Sequence, residues 1–509
     1  MPPLFEKPLL LGIAATAFAS CGGSKEAPPQ SFPQTVGRVP VVLIVFDALA
    51  ADHISHLGYE RETTPTLDAL AAEGVSFNTA FSPAPYTLAG IASLVTGRLP
   101  DSHGMVAKTT RLRDEETTLG ELITRAGYPS LAVVGNPNGG EAFGDMQGFD
   151  RVVNTYETNE KRPPNYTPPS TGEPLHLSMP EEAAAELTPF LDGLEDPAAP
   201  FFYYAHILQP HSPYIAPEPT RSRWLDPAYD GPFKGGDNQA LIANMANIDG
   251  LEQADIDAVR ALYDANLLWA DQSLALILDE LRARGLYDKA LIIVTSDHGE
   301  AMFQHGRWGH NDTLFEEMVN VPLVVRFPGP ADDGLPRGMQ LDAPVSIIDI
   351  LPSLAEWLDL APPQDLDGHS LAPLIAGAPE AQQVAQARTL RLRDHGLPPA
   401  AALRTKDTKA ILHRGLVGTD GSPLPDRMEF FELTSDPAEK HDLAPGGDPR
   451  SEAAHRAIEA EIARLLAAFK GSATATFSEE EAAMMGALGY VEDDPEPVTP
   501  QPIETGPDQ

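Results

Sequence analysis

Two uninterrupted runs of apolar, mostly β-branched residues constrain the fold of this chain more than any other feature. They are VPVVLIVF at 39–46 and ALIIVT at 290–295. Such runs are typical of strands that are buried on both faces of a parallel sheet. The chain is therefore expected to build its core around a sheet that is covered on each side.

Helical patterns alternate with these runs. Helices are expected at three segments that each stop one residue before a glycine, namely 66–73, 118–126 and 262–284. A further strand-like run follows at 130–134. This alternation predicts an α/β fold with a large, mostly parallel central sheet flanked by helices. The Pro-, Glu- and Ala-rich stretch at 155–200 is expected to be a surface excursion.

The pattern changes after residue 375. Short strand-like runs occur at 402–414 and 428–433, and a helical pattern follows at 452–470. We expect a small C-terminal subdomain at 376–492, built from an antiparallel sheet plus a helix. Residues 493–509 are acidic and Pro-rich, which predicts a disordered tail.

The N-terminus has the pattern of an export signal. An apolar run at 9–19, too short to span a bilayer, precedes Ala-Ser-Cys-Gly at 19–22. Residues 1–21 therefore predict a lipoprotein-type signal peptide with lipidation of Cys21; an ordinary secretory signal peptide is the alternative. The Gly/Pro/Ser-rich residues 22–38 predict a flexible tether.

An exported protein with a lipid at Cys21 would be a periplasmic or cell-surface lipoprotein. The glycines that follow Cys21 carry no inner-membrane retention signal, which favours the outer membrane. Cys21 is also the single cysteine of the chain, so no intramolecular disulfide can form.

The charge balance excludes two classes of partner. The chain has 35 basic and 74 acidic residues and a net charge of −39. Nucleic acids and anionic membrane surfaces are bound by clustered Lys and Arg. We therefore expect no nucleic-acid partner, and a membrane contact only through the N-terminal lipid. A small anionic substrate would need local compensation of its charge, either by a metal ion or by a few hydrogen-bond donors that point at it.

Ligand-type side chains follow several predicted strands. Asp47 comes directly after the first run. Asp297 and His298 follow the run at 290–295, from which Ser296 separates them. His206 and His211 follow another apolar run. In α/β sheets, sites lie at the carboxyl ends of the strands. Together with His310, these residues could supply a metal-assisted hydrolysis site.

Two long blocks of the sequence resemble the sulfatase family of the alkaline phosphatase superfamily. They are 41–98, which opens with VVLIVFDALAADH, and 290–329, which opens with ALIIVTSDHGEAMF. Shorter matches occur in the family's order at 263–281, 345–354, 365–374, 430–444 and 487–491. The resemblance implies an alkaline phosphatase-like fold with a catalytic domain at 39–375. It also implies activity on an anionic ester substrate.

The resemblance suggests a role for each matching residue. Asp47, Asp297 and His298 match metal ligands of the family. His211 would contact the anionic group or the leaving oxygen, and His310 lies where family members place a further substrate-contacting side chain. Counting back from SLVTG at 93–97, the nucleophile motif falls on TLAGI at 87–91, so Thr87 stands in the nucleophile's place.

The motif departs from the family pattern in ways that affect the chemistry. Sulfatases oxidise a Cys or Ser to formylglycine, and Thr87 is neither, so no formylglycine is expected. Other residues that the family usually has are also replaced. A second carboxylate and a nearby Arg are replaced by Ala48 and Ala50, the Pro and Arg of the nucleophile motif by Ala89 and Ile91, and a common Lys by Asn136.

A threonine nucleophile occurs elsewhere in the superfamily, in enzymes that act on phosphorus. There a covalent phosphothreonine forms. By this resemblance, one divalent metal would be held by Asp47, Thr87, Asp297 and His298, with Mn²⁺ or Zn²⁺ favoured and Ca²⁺ possible. His211, His310 and Asn136 would bind the substrate and stabilise developing charge, and His211 or His310 would protonate the leaving group.

Three functions stay open from the sequence. The first is hydrolysis of a phosphate or phosphonate ester through Thr87. The second is hydrolysis of a sulfuric ester, against which position 87 argues. The third is a degenerate protein that binds an anionic glycan or lipid head group without turnover, which the lost family residues favour.

Overall fold

The computed structural model describes residues 35–488, with gaps at 108, 168–173, 197–198, 237–247, 330–334, 379–387, 393–398, 417–421, 470 and 472. The predicted signal peptide, Cys21, most of the tether and the tail at 493–509 lie outside the described residues and stay predictions, as do the exact domain boundaries. The described residues all belong to one compact unit. None of the helices described is long and apolar enough to cross a bilayer.

The described strands form one large sheet, one small sheet and two short pairs. In chain order they are β1 Val41–Asp47, β2 Val75–Phe81, β3 Thr110–Arg111, β4 Ser130–Val134, β5 Arg151–Asn154, β6 Phe202–Pro210, β7 Leu291–Ser296, β8 Ala301–Met302, β9 Trp308–Gly309, β10 Asn320–Arg326, β11 Met339–Leu341, β12 Val345–Ser346, β13 Arg388–Leu392, β14 Ala400–Arg404, β15 Thr408–His413, β16 Arg427–Glu432 and β17 Ala473–Thr474.

The described helices, 3₁₀ turns aside, range in length from 4 to 31 residues. In chain order they are α1 Pro65–Ala72, α2 Thr87–Thr96, α3 Pro100–His103, α4 Leu119–Arg125, α5 Glu181–Asp192, α6 Gln253–Ala283, α7 Glu316–Val319, α8 Ile350–Trp357, α9 Ala372–Ile375, α10 Pro449–Ala468 and α11 Glu479–Ala487.

The large sheet is mostly parallel, as predicted. Its described strands follow the order β11-β2-β10-β7-β1-β6-β4-β5, with β12 also paired to β2. Strand β10 runs antiparallel to both of its neighbours, and the other pairings are parallel. Strand β1 lies in the centre, between β6 and β7, so its carboxyl end is flanked by two further strands of the same direction.

Strand β1 shows why the apolar runs are continuous. Val41, Leu43 and Val45 face one core, and the alternate residues Val42 and Ile44 face a second core on the other side of the sheet. Helix α2 packs in the first core and helix α6 in the second. A strand with helices on both faces has no solvent side, so each of its positions is apolar.

The helix predictions hold, with shifts at the ends. Helix α6 begins at Gln253, well before residue 262, because Glu252 and Asp255 form a reciprocal capping box. The prediction of a surface excursion at 155–200 is wrong for its second half. Helix α5 lies there, and Leu187 and Leu191 on one of its faces are buried in the second core.

The C-terminal part forms the small antiparallel sheet plus helix that the sequence predicts. Strands β13 to β16 pair in chain order, each antiparallel to the next. Ile458 and Ile462 of α10 pack on this sheet. The run at 402–414 is two strands joined by a turn, β14 and β15, and β13 was not predicted.

Candidate active site

The ends of two central strands and the start of one helix meet at the carboxyl edge of the large sheet. Asp47 is the last residue of β1, and Asp297 and His298 follow β7. Thr87 is the first residue of α2. All four side chains are buried. Because β1 and β7 are parallel neighbours, their acidic ends arrive side by side.

The distances within this group are those of a single cluster. Ligand atoms of Asp47, Asp297 and His298 lie within 4.8 Å of one another. The hydroxyl Oγ1 of Thr87 lies 3.2 Å from Nε2 of His298 and 3.5 Å from Oδ1 of Asp47. The structure thus brings together the four residues that the sequence proposes as metal ligands.

Backbone groups hold the ligand atoms in position. Oδ1 of Asp297 accepts hydrogen bonds from the amides of Ala48, at 3.1 Å, and His298, at 2.8 Å. Nδ1 of His298 lies 2.7 Å from the carbonyl oxygen of Gly299 and can only donate to it. The other imidazole nitrogen, Nε2, is thereby left to face Thr87 and the carboxylates.

Helix α2 approaches the end of β7 very closely at Gly90. A Cβ atom at this position would lie 2.4 Å from the carbonyl oxygen of Asp297. Real Cβ atoms do not come so near, so only glycine allows this packing. The contact holds Thr87, one turn earlier, beside His298.

The electrostatics of the cluster favour a bound cation. Burial would lower the pKa of His298, but the charges of Asp297 and Asp47 outweigh it and raise this pKa to about 9. Burial would raise the pKa of Asp47, yet His211 and the other neighbouring imidazoles hold it well below its usual range. Two buried carboxylates with oxygen atoms within 4.8 Å of each other need compensating positive charge. The oxygen and imidazole donors here fit a divalent metal ion.

His211 and His310 flank the cluster. The His310 ring lies 4.4 Å from that of His298 and 5.0 Å from that of His211, centroid to centroid. Burial lowers the pKa of His211, and burial together with the nearby His298 lowers the pKa of His310 to about 3. Both imidazoles are therefore neutral near pH 7 in the protein without substrate.

Asn136 lies in the cluster itself. Its Nδ2 donates to Oδ2 of Asp47 at 2.6 Å, and its Oδ1 accepts from the amide of Asn138 at 3.0 Å. These contacts orient Asp47. This role of Asn136 was not predicted from the sequence. Binding of substrate by Asn136, predicted from the resemblance, stays a prediction.

Two further residues take part in the site. The sequence placed His206 among the candidate histidines without giving it a role, and it did not assign Glu300. His206, in the middle of β6, lies between Asp47 and Asp297. Glu300 contacts His310 through a 3.0 Å hydrogen bond with its Nδ1. A sequence signal existed for His206, because an imidazole within the apolar run FFYYAHIL is costly to bury unless it has a role.

The sulfatase family model matches residues 40–360. The match covers more than half of the chain, so this protein belongs to the sulfatase family and is a hydrolase of that family. Over 476 residues it is 25% identical to the ulvan-active sulfatase of Formosa agariphila, covering 91% of this chain and 87% of that protein.

The chain is also similar to a relative from the wider superfamily. The chain is 26% identical over 491 residues to a multifunctional alkaline phosphatase superfamily protein of Trinickia caryophylli, covering 81% of this chain and 92% of that protein. The fold is that of the phosphonate monoester hydrolase of Agrobacterium radiobacter, with a TM-score of 0.65, 23% identity and coverage of 86% and 100%. The alkaline phosphatase-like fold is thus confirmed.

Proposed function

We propose that this sulfatase-family hydrolase is metal-dependent and cleaves a phosphate or phosphonate ester, with Thr87 as the nucleophile. The observation that carries the proposal is the position of the Thr87 hydroxyl. It lies at the start of α2, within 3.5 Å of both Nε2 of His298 and Oδ1 of Asp47. A hydroxyl beside a carboxylate and an imidazole can be activated for attack.

Asp47, Asp297, His298 and Thr87 are the residues that would hold the metal ion. When bound, a divalent cation supplies positive charge that lowers the pKa of a neighbouring hydroxyl and offsets charge on the ester oxygens. Zn²⁺ or Mn²⁺ suits this mixed donor set better than Ca²⁺, which prefers oxygen donors alone.

In the first step, Oγ1 of Thr87, which has lost its proton to solvent, forms a bond to phosphorus while the bond from phosphorus to the leaving oxygen breaks. The leaving oxygen takes a proton from His211 or His310. Both imidazoles are neutral in the free protein, but an anionic substrate raises the pKa of a nearby imidazole. Substrate binding is therefore expected to bring a proton with it.

In the second step, water attacks the phosphothreonine. The imidazole that gave its proton to the leaving group now accepts one from water, so phosphate or phosphonate is released and Thr87 is regenerated in its ionised form. One imidazole thus serves both half-reactions, and the rings of the two candidates, His211 and His310, lie 5.0 Å apart.

Sulfate-ester hydrolysis is the second candidate, and the similarity to an ulvan-active sulfatase over 91% of the chain favours it. Against it stands Thr87, which cannot be converted to formylglycine. A non-catalytic binder of an anionic glycan or lipid head group is the third candidate, because Ala48, Ala50 and Ile91 replace polar family residues.

Hydrolysis of four model esters separates these candidates. Metal-stripped protein would be assayed with p-nitrophenyl phosphate, bis-p-nitrophenyl phosphate, a phenylphosphonate ester and p-nitrophenyl sulfate, with Zn²⁺, Mn²⁺ or Ca²⁺ added back. We expect metal-dependent turnover of one or more phosphorus esters, lost in Thr87→Ala. Turnover of the sulfate ester alone would support the second candidate, and metal binding without any turnover the third.

Export with a lipid on Cys21 is part of the same proposal. It is supported by the apolar run at 9–19 and the small residues before Cys21. Membrane fractionation tests it: wild type is expected in the membrane fraction and Cys21→Ala in the soluble fraction. Equal release of both proteins would contradict lipid attachment.

A further inference from the structure

His206 lies between the two carboxylates of the cluster. Its Nε2 is 3.6 Å from Oδ2 of Asp47 and 3.6 Å from Oδ2 of Asp297. The side chain has no solvent exposure. Neither ring nitrogen has a hydrogen-bond partner among the described residues, and the same holds for Oδ2 of Asp297.

Such an arrangement needs an explanation, because a buried polar group without a partner costs about 1–3 kcal/mol. The neighbours of His206 along β6 are apolar or aromatic, and the strand runs through the centre of the sheet. An aliphatic side chain would fill this position without that cost. The imidazole is therefore expected to have a partner that occupies the space between the carboxylates.

The ring is also held in one orientation. A Cβ atom at Gly139 would lie 3.0 Å from Nδ1 of His206 and 3.2 Å from its Cε1. The backbone at Gly139 thus packs against the Nδ1 side of the ring. Nε2, on the opposite side, faces Asp47 and Asp297.

We propose that His206 is a further ligand of the metal ion, through Nε2. The inference rests on the cation of the proposed function and adds a ligand to its set. Because zinc–ligand distances are about 2.0–2.2 Å, two atoms that bind one zinc ion lie at most roughly 4.4 Å apart. The two 3.6 Å spacings of His206 lie within this limit, as does the 3.7 Å spacing between Nε2 of His298 and Oδ2 of Asp297.

His206 would be the fourth carboxylate or imidazole ligand of the ion, after Asp47, Asp297 and His298, and this addition changes which metal the site prefers. With His206, two imidazoles and two carboxylates surround the ion, in addition to the hydroxyl of Thr87. Imidazole is a good ligand for Zn²⁺ and other transition metals and a poor one for Ca²⁺. His206 thus increases the preference of the site for Zn²⁺ over Ca²⁺.

The test is metal affinity, measured by chelator competition on the metal-stripped full-length protein with Zn²⁺ and Ca²⁺ separately. In His206→Gln we expect the Kd for Zn²⁺ to rise about 100-fold, while the Kd for Ca²⁺ changes less than about threefold. Gly139→Ala keeps the imidazole but displaces it, and should raise the Zn²⁺ Kd about tenfold. Tyr204→Phe removes a buried hydroxyl of the same strand that also has no hydrogen-bond partner in the described part of the chain, and it should bind Zn²⁺ as wild type does.

Thermal melting of each variant in chelator shows whether it is folded, and Co²⁺ absorption gives a readout independent of activity. A weaker visible band in Co²⁺-loaded His206→Gln than in wild type is expected. If Zn²⁺ affinity and the Co²⁺ spectrum are the same in both proteins, His206 is not a ligand, although the proposed function stands. If wild type itself binds no divalent metal, the proposed cation is wrong, and the inference fails with it.

Discussion

Nδ1 of His310 and Oε1 of Glu300 lie 3.0 Å apart, and both side chains are buried. Burial raises the pKa of Glu300 to about 7. The contact fixes the ring of His310 with its Nε2 edge away from Glu300. A carboxyl group that orients an imidazole in this way is a common feature of hydrolase sites.

Glu300→Ala is therefore expected to lower kcat about 10- to 100-fold, because the ring of His310 loses its orientation. The loss should be larger for alkyl esters, which need a proton on the leaving oxygen, than for p-nitrophenyl esters, which do not. Glu300→Gln keeps a hydrogen-bonding oxygen and should restore most of the activity. Equal losses for both kinds of ester would show that Glu300 has only a structural role.

Gly90→Ala should displace α2 from the end of β7. The added Cβ would overlap the carbonyl oxygen of Asp297, so the helix must move, and Thr87 moves with it. We expect a loss of about 1–3 kcal/mol in the free energy of unfolding and a fall in kcat of at least about tenfold.

Gly486→Ala in α11 is the matched control for Gly90→Ala, because, its own helix backbone and chain neighbours aside, none of the described residues has an atom within 4 Å of the added Cβ. It should leave activity unchanged and stabilise the protein by about 0.4–1 kcal/mol. Urea unfolding and ester hydrolysis measure both effects. Full activity in Gly90→Ala would show that the position of α2 does not determine that of the nucleophile.

Lys409 links the small sheet to the catalytic part of the chain. Its fully buried ammonium lies 3.1 Å from Glu316, in α7, and 2.9 Å from Glu439. Lys409→Met leaves the buried carboxylate of Glu439 and the half-buried carboxylate of Glu316 without this cation, so we expect the free energy of unfolding to fall by about 3–5 kcal/mol. The control is the exposed Lys406, which lies 3.6 Å from Asp342. Lys406→Met should change the free energy of unfolding by less than about 1 kcal/mol. Similar urea midpoints for both variants would contradict this account.

Asp145 should make stability depend on pH. Its carboxylate is fully buried, neither oxygen has a hydrogen-bond partner among the described residues, and burial raises its pKa well above the usual range. The folded state therefore favours the protonated form. The unfolding free energy should fall as pH rises from about 4, the unfolded pKa, up to the raised value.

Asp145→Asn removes this titration. The variant should gain stability relative to wild type as pH is increased from 4 to neutrality, measured by urea unfolding at each pH. Asp114→Asn alters an exposed carboxylate and serves as control; its difference from wild type should not vary with pH in this way. A constant difference between Asp145→Asn and wild type would contradict the raised pKa.

Much of the fold could be predicted from the sequence because its signals are local. The apolar run at 39–46 indicates a strand that is buried on both faces. Gly74, Gly127 and Gly285 indicate where helices end. Helix α5 was missed because its apolar residues are widely spaced among Glu and Ala. Its burial depends on packing against β6, which the local pattern does not reveal.

The site could be predicted in part. Asp47, Thr87, Asp297 and His298 follow strands or stand in a recognisable motif, and the structure brings them together. The contacts of His206 and Glu300 could not be predicted, because they depend on which neighbouring strand and loop face them. The hydrogen bond from Asn136 to Asp47 was missed for the same reason.

The covalent step is the central claim, and trapping it is the most direct test. Metal-loaded protein would be mixed with the best phosphorus ester, quenched in acid and digested, and the peptide that contains Thr87 analysed by mass spectrometry. The account predicts a phosphoryl or phosphonyl group on Thr87 in wild type, and none in Thr87→Ala. Turnover by wild type without any such adduct, together with undiminished turnover by Thr87→Ala, would show that water attacks the ester directly.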